Sequence, residues 1–344
     1  MKISIVVRAY NEAERIERLM MGISAQTVAS HEVILVDSGS TDDTVAIARA
    51  YDARIVNIDR AEFTFGRALN RGCAAAGGDI CVFVSAHTYP VHSTWLENLV
   101  APFGDDRVAL SYGRQRGNST NRFSEHQIFA QWFPAQSACP QAMHFCNNAN
   151  CAIRRSAWES LPYDESLTGL EDLAWAKEAQ ARGRWIAYVA EAGVVHVHDE
   201  SWAMVKNRYR REAMAMRSID EHPHFSRGDF VSLLARTALS DARAASRQGV
   251  LAKELRSILL FRYNQLAGTY RGFNGPSVAS AQLRTRFYYP GENGRAGAQA
   301  ADAANVIDYS SLKAKTRHAR PENANEDGED GSRNGAGAER AAAD

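Results

Sequence analysis

The chain has 344 residues, 45% of them hydrophobic, with 40 Lys plus Arg balanced by 40 Asp plus Glu and a formal charge of zero. That length suffices for one large α/β domain with a substantial core, or for two smaller ones, and the hydrophobic content argues that most of it folds. The charge balance disfavours a strongly basic nucleic-acid binder, so no nucleic-acid partner is expected.

A strand over Ile3–Val7 opens the chain, and Arg8, Asn11 and Glu12 interrupt any apolar segment that a signal peptide would need. Residues 12–23 place Ile16, Leu19, Met20 and Ile23 on one helical face, with Asn11 as N-cap and Glu14 completing a capping box. The run Val33–Val36 predicts a buried strand that stops at Asp37. Ser38-Gly39-Ser40-Thr41 turns into the next helix, with Ser40 and Asp43 spaced as a second box. Asp37 thus stands at the carboxyl end of a strand, where open α/β sheets bind ligands. Its carboxylate can accept a hydrogen bond from the N–H of a ligand bound there. Asp42 suits either a nucleotide or the helix N-terminus.

Further strands are expected at Arg54–Ile58, Ile80–Val84 and Val108–Tyr112, with an alanine-rich helix over 66–76. Strands alternating with helices imply a parallel sheet covered on both faces. Residues 113–150 read as a long loop with some helix. Strands return near Ala149–Ile153, Ile186–Val189 and Gly193–His198, with a helix over Glu171–Arg182. Residues two apart on a strand share a face, so His196 and His198 point the same way. Arg67, near a helix N-terminus, can pair with a diphosphate in bidentate fashion. Cys146 and Cys151 lack the partners a zinc clip needs and read as small buried residues.

After residue 200 the pattern is helical. Trp202–Ile219 carries Lys206, Arg208, Arg210, Arg211 and Arg217 among apolar residues, and two more helices follow near 229–247 and 249–270. The basic helix suits either a solvated face packed on the sheet or an anionic membrane surface. No stretch reaches the ~18 apolar residues that span a bilayer. Five scattered cysteines fit a reduced compartment. Beyond about 291 the composition predicts no structure. The expected organisation is therefore a domain over 1–200, a helical extension over 201–290 and a disordered tail over 291–344.

Taken in order, Arg8-Ala9-Tyr10-Asn11-Glu12, Asp37-Ser38-Gly39-Ser40, Gly66-Arg67-Ala68-Leu69-Asn70, Ser85-Ala86-His87, Glu171-Asp172 and His196-Val197-His198 resemble the motif series of the inverting family 2 glycosyltransferases. Arg8 stands where that family usually has proline, which looks more like its rhamnosyltransferase-like branch. The resemblance implies a GT-A fold, a Rossmann-like mixed α/β sheet, with a helical C-terminal extension. It implies a sugar moved from a dTDP- or UDP-sugar to a glycan or lipid-linked glycan in bacterial surface polysaccharide synthesis, by a cytoplasmic enzyme that associates peripherally with the inner membrane. Arg8, Tyr10, Asn11, Glu12, Asp37, Ser38, Gly39, Arg67, Ser85 and Ala86 fall at nucleotide-binding positions.

Asp172 matches the base that deprotonates the acceptor, and Glu171 the residue that orients it; a like charge beside Asp172 would raise its pKa and make it a better base. Acids that merely complement a helix dipole are the simpler alternative. The family's metal motif, Asp-x-Asp, is here Ser85-Ala86-His87, so the first carboxylate is missing. His87 and His198 are the expected ligands of a divalent cation, Mn²⁺ or Mg²⁺, and imidazole suits Mn²⁺ better. If no metal is used, Arg8 and Arg67 would neutralise the diphosphate. The lost motif also permits a catalytically silent nucleotide-sugar-binding module. A pyrophosphorylase-type nucleotidyltransferase would want a Gly-rich, Arg-Lys loop after strand one, which residues 8–12 lack.

Overall fold

The continuous apolar runs of the first 85 residues build the centre of a sheet buried on both faces. In the computed structural model, which describes residues 1–219, 224–275 and 305–312, β1 (Ile3–Ala9), β2 (His31–Asp37), β3 (Arg54–Asn57) and β4 (Ile80–Ser85) are parallel, with β1 paired to both β2 and β4. Period-2 alternation sends Ile5, Val7, Val82 and Val84 to one face, against Ile16, Leu19, Met20 and Ile23 of α1 (Ala13–Ser24). Val6, Cys81 and Phe83 go to the other, against Leu69 and Cys73 of α3 (Phe65–Ala75). Each such large side chain taken fully from water contributes about 1.5–3 kcal/mol.

The sheet is mixed, not wholly parallel as the strand–helix alternation alone suggested. β7 (Asn150–Arg154) runs antiparallel to both β4 and β6 (Val108–Arg116), and β5 (Thr88–Pro90) is antiparallel to β8 (Trp185–His196). The order is β3-β2-β1-β4-β7-β6-β8-β5. The two strands expected near 186–198 are one, which bears a register irregularity against β6. α2 (Thr44–Ala50), α4 (Trp95–Val100), α5 (Phe123–Trp132), α6 (Arg155–Ser160) and α7 (Glu171–Ala181) complete this part.

Three long helices follow: α8 (Trp202–Ile219), α9 (Arg227–Arg247) and α10 (Leu251–Asn274). α8 is not a free amphipathic face. Lys206, Arg208, Arg210, Arg211 and Arg217 are all partly buried, and Gly268 and Gly272 of α10 lie so close to the α8 backbone that a Cβ on either would clash with it. The exposed cations lie instead on α9 and α10: Arg227, Arg236, Arg243, Arg247, Lys253, Arg256 and Arg271.

Part of the tail expected to lack structure is ordered. Val306 bridges to His92, the Ile307 amide bonds to the Val91 carbonyl, and the Tyr309 hydroxyl donates to the Pro90 carbonyl at 2.8 Å. Tyr309 also packs edge-on to Tyr89 and beneath the Arg18 guanidinium. The rest of the expected tail, and 276–290 of the expected extension, lie outside the described residues.

Candidate active site

The carboxyl ends of β1 and β2 finish in register, Ala9 beside Asp37, and their two loops interlock. Asn11 sits at φ 52° and does not cap α1; its Oδ1 accepts the Thr41 amide at 2.8 Å, and its own amide donates to Ser40 Oγ at 2.9 Å. Ser40 is therefore engaged here and forms no box with Asp43, and α1 has no side-chain cap from its own N-cap residue, Glu12. Asp42 takes the capping role across the loops, accepting the amides of Ala13 and Thr44 at 3.0 Å each. Asp37 is 4% exposed, and its Oδ2 accepts the amides of Gly39 and Ser40, both at 3.0 Å. Gly39 reaches φ 88°, a region open to glycine without steric cost. Asp37 Oδ1 is buried with no hydrogen-bond partner. A buried lone carboxylate oxygen costs free energy unless a donor meets it. Ser38 is tied to the Ala9 carbonyl, and the Tyr10 ring lies under Arg60.

Arg8 lies beneath this turn, its guanidinium 5.1 Å from the Phe65 ring centroid and 3.5 Å from Glu171 Oε1; its Nη1 makes no hydrogen bond. Arg67 is committed elsewhere, to Glu165 Oε2 at 2.7 Å and the Glu62 carbonyl at 2.8 Å. Gly66 lets the 161–166 turn close on α3, since a Cβ there would meet the Asp164 carbonyl.

The acidic pair opens α7, after Leu170 in the left-handed region at φ 56°. Asp172 Oδ2 accepts the Asn148 amide at 3.0 Å, and the Asn148 side chain reaches Glu171 Oε1 at 3.3 Å. Burial, and then the Glu171 charge, push the Asp172 carboxyl up to about 7. A carboxylate titrating near neutrality is matched to general-base work.

Ser85 ends β4 and is 9% exposed, Ala86 is fully buried, and His87 follows. His196 closes β8, and His198 lies just beyond its end, with the two rings 4.2 Å apart. The His87 ring stacks on His196 at 5.0 Å. One ring nitrogen from each of the three lies within 4.8 Å of the other two. Each Nδ1 meets an oxygen: Glu12 Oε1 at 2.8 Å for His87, Gln115 Oε1 at 2.7 Å for His196 and Glu125 Oε1 at 3.0 Å for His198. An oxygen acceptor at Nδ1 leaves Nε2 as the electron-pair donor, the second-shell pattern of metal-ligating histidine. These residues fit a divalent cation.

Burial would raise the Glu125 carboxyl, but His198 and Arg208 hold it at about 2. Burial and the neighbouring rings push His196 well below its usual range. Burial likewise works to raise Glu12, and His87 and Arg15 outweigh it. Glu12 therefore stands behind His87, not only at the nucleotide position its motif implied.

Asn148, Gln115 and Glu125 are participants that sequence reasoning missed. They come from the loop before β7, the end of β6 and the first turn of α5, and no local spacing joins them to the residues they hold. Asn150 and Arg154, the first and last residues of β7, serve the scaffold. Asn150 accepts from Trp95 Nε1, and Arg154 donates to the carbonyls of Phe103, Asp105 and Val108. Cys146 and Cys151 are buried free thiols. Among the described residues no helix is long and apolar enough to cross a membrane.

Residues 4–161 match the model of the family Glycosyl transferase family 2. An O-antigen chain rhamnosyltransferase of Salmonella typhimurium is 29% identical over 211 residues, covering 58% of this chain and 67% of that one. A Mycobacterium tuberculosis glucosyl-3-phosphoglycerate synthase, solved in complex with Mg²⁺ and UDP, aligns at a TM-score of 0.51 with 26% identity, over 65% of this chain and 80% of that one. A Pyrobaculum calidifontis mannosyltransferase, solved in complex with GDP-Man and Mn²⁺, aligns at 0.56 with 19% identity, over 78% and 86%, and shares the fold.

Proposed function

We propose that this chain, whose residues 4–161 match Glycosyl transferase family 2 and which is similar to an O-antigen chain rhamnosyltransferase, transfers a sugar, with inversion, from a dTDP- or UDP-sugar to a growing glycan or a lipid-linked glycan of a bacterial surface polysaccharide. The observation that carries this reading is Asp172, a half-buried carboxyl raised to about 7 by burial and Glu171, and fixed by the Asn148 amide. Such a group takes the proton of the acceptor hydroxyl as its oxygen attacks the anomeric carbon. Glu171, hydrogen-bonded to Asn148 and paired with Arg8, orients the acceptor and the loop.

The partnerless Asp37 Oδ1 accepts the N3–H of the pyrimidine, while the Gly39 and Ser40 amides hold its other oxygen still. Tyr10, Asn11, Glu12, Ser38 and Gly39 wall the nucleoside, and Ser85 and Ala86 lie at the diphosphate. Of the two arginines, Arg8 is the one with a guanidinium nitrogen left without a hydrogen bond for the departing diphosphate, whereas Glu165 and the Glu62 carbonyl engage Arg67. His87 and His198 would hold a divalent cation, which when bound stabilises the charge growing on the leaving diphosphate. The UDP and Mg²⁺ of the mycobacterial structure and the rhamnosyl transfer of the Salmonella relative support this assignment.

The acceptor is brought by a membrane surface. Arg227, Arg236, Arg243, Arg247, Lys253, Arg256 and Arg271 are exposed on α9 and α10, together with Val231, Leu239, Leu255, Leu259 and Tyr263. Leu255, Leu259 and Tyr263 recur every four residues on one stripe of α10. Cations flanking exposed apolar residues suit an anionic bilayer.

The test is transfer by the purified chain from dTDP- and UDP-sugars, scored by release of the nucleoside diphosphate and by glycosylated acceptor, beside Asp172→Asn. Turnover confined to the wild type is expected. Equal turnover in both would remove Asp172 as base, and nucleotide binding with no turnover in either would leave a silent binding module.

A further inference from the structure

We propose that His196 joins His87 and His198 as a third nitrogen ligand, making an all-imidazole cation site that takes Co²⁺, Zn²⁺ or Mn²⁺ and discriminates against Mg²⁺. This rests on the reading above for the site's place in the reaction, but its test reads metal binding directly.

The argument starts from His196 Nε2 and His198 Nε2, which lie 3.1 Å apart. Glu125 can only accept at His198 Nδ1, and Gln115 presents its oxygen to His196 Nδ1. With both Nδ1 atoms carrying hydrogen, two lone pairs face each other, a repulsion that a bound cation, or a proton on one ring, would relieve. A metal held at about 2.0–2.1 Å by tetrahedral imidazoles would set its ligand nitrogens about 3.3 Å apart. The third ring, His87, is oriented by Glu12 in the same manner.

Glu125 and Glu200 are nearby but committed. Arg208 takes Glu125 Oε1 at 2.8 Å and Glu200 Oε2 at 2.7 Å. At the end of β4, the two positions at which the Asp-x-Asp motif would carry acids are Ser85 and His87. The three-ring cluster therefore offers three nitrogens, while the carboxylates that share His198 with it, Glu125 and Glu200, are held by Arg208. Mg²⁺ demands oxygen ligands in near-octahedral array, whereas imidazole suits zinc and its transition-metal neighbours.

The full chain, stripped with chelator, is titrated with Co²⁺, Zn²⁺, Mn²⁺ and Mg²⁺ in the absence of nucleotide, by calorimetry and by the visible absorption of Co²⁺. Binding of Co²⁺ and Zn²⁺ is expected, with Mg²⁺ unable to displace Co²⁺ even in hundredfold excess. His196→Asn should lower Co²⁺ affinity by at least about tenfold. Because His196 is buried, the wild type supplies a second measurement: anomalous scattering from Co²⁺-soaked crystals should place the ion on all three rings. Mg²⁺ competing on equal terms, an ion that avoids His196, or no Co²⁺ binding at all would overturn the proposal. The last result would mean that the 3.1 Å contact is a simple hydrogen bond, made either by a reversed Gln115 amide or by a proton on one of the two rings. UDP affinity is measured in parallel. Loss of UDP binding with Co²⁺ held by His196 would sink only the transferase reading. Transfer activity with Co²⁺ affinity unchanged in His196→Asn would sink only this one.

Discussion

The two ends of the site are built on different principles. The end proposed to hold the nucleotide is made of two loops, residues 8–13 and 37–44, tied to each other by backbone amides and short polar side chains. The histidine end draws single residues from the link between β4 and β5 and from α5, β6, β8 and α8, spread over more than a hundred positions of sequence. A site of loops adjacent in the sheet keeps its geometry wherever the strands pair. One assembled from distant elements depends on each of them being packed first, so its side chains come with supporting partners that buried polar groups require.

The comparison can be strained from either side. The largest effect is expected at the proposed base: Asp172→Asn should lower kcat by about 10²–10⁴-fold, the usual range for a general base, with the fold intact by circular dichroism. The pH profile follows. Asp172 must be ionised to accept a proton, so kcat/KM should fall through a pH of about 7 and be down about a hundredfold two units below it. Because the folded pKa lies above the unfolded one, the fold binds this proton the more tightly. Its stability contribution therefore grows as pH drops from about 7 toward about 4, opposite to activity. A flat rate profile from pH 5 to 8 would contradict the assignment.

At the nucleotide end, Asp37→Asn replaces one acceptor oxygen by a donor and should weaken UDP binding by about 10–100-fold, the worth of a charged hydrogen bond. Calorimetry reads that loss, and unchanged affinity would free Asp37 from the base. At the histidine end, Glu125→Gln keeps shape but removes the charge behind His198. Co²⁺ affinity should fall by at least about tenfold while UDP affinity without metal is unaffected. If both fall together, the two ends are not independent. The smallest change is outside both. Leu255→Ser with Leu259→Ser should cut sedimentation with anionic vesicles severalfold and leave transfer to a water-soluble acceptor unchanged.

The same division explains what could be read from sequence. Ile3–Val7, Val33–Val36 and Ile80–Val84 announce themselves as apolar runs, and Asp37 and Asp172 stand at the strand and helix ends where chemistry collects. The antiparallel insertion of β7 was hidden, because strand direction is a property of pairing and leaves no mark in composition. Capping was misread at Asn11 for a physical reason. A donor three residues along the chain and one in a neighbouring loop satisfy the same group equally well, and only tertiary structure chooses. His196 was visible as a strand residue, but Gln115 and Glu125, which fix its neighbourhood, carry no local signal. The basic helix α8 was visible as well, and its burial under α10 was not, since charge alone does not say which face another helix will cover.

The bridge between Val306 and His92 bears on how the protein should be handled. Shortening the chain after α10, a natural step when preparing it for crystals, would strip the cover from β5, the outermost strand of the sheet, which begins one residue after His87. An uncovered edge strand is a template for another chain's strand. Such a trimmed protein should self-associate along that border, and aggregation seen in it would report the missing clasp and not a failure of the catalytic half to fold.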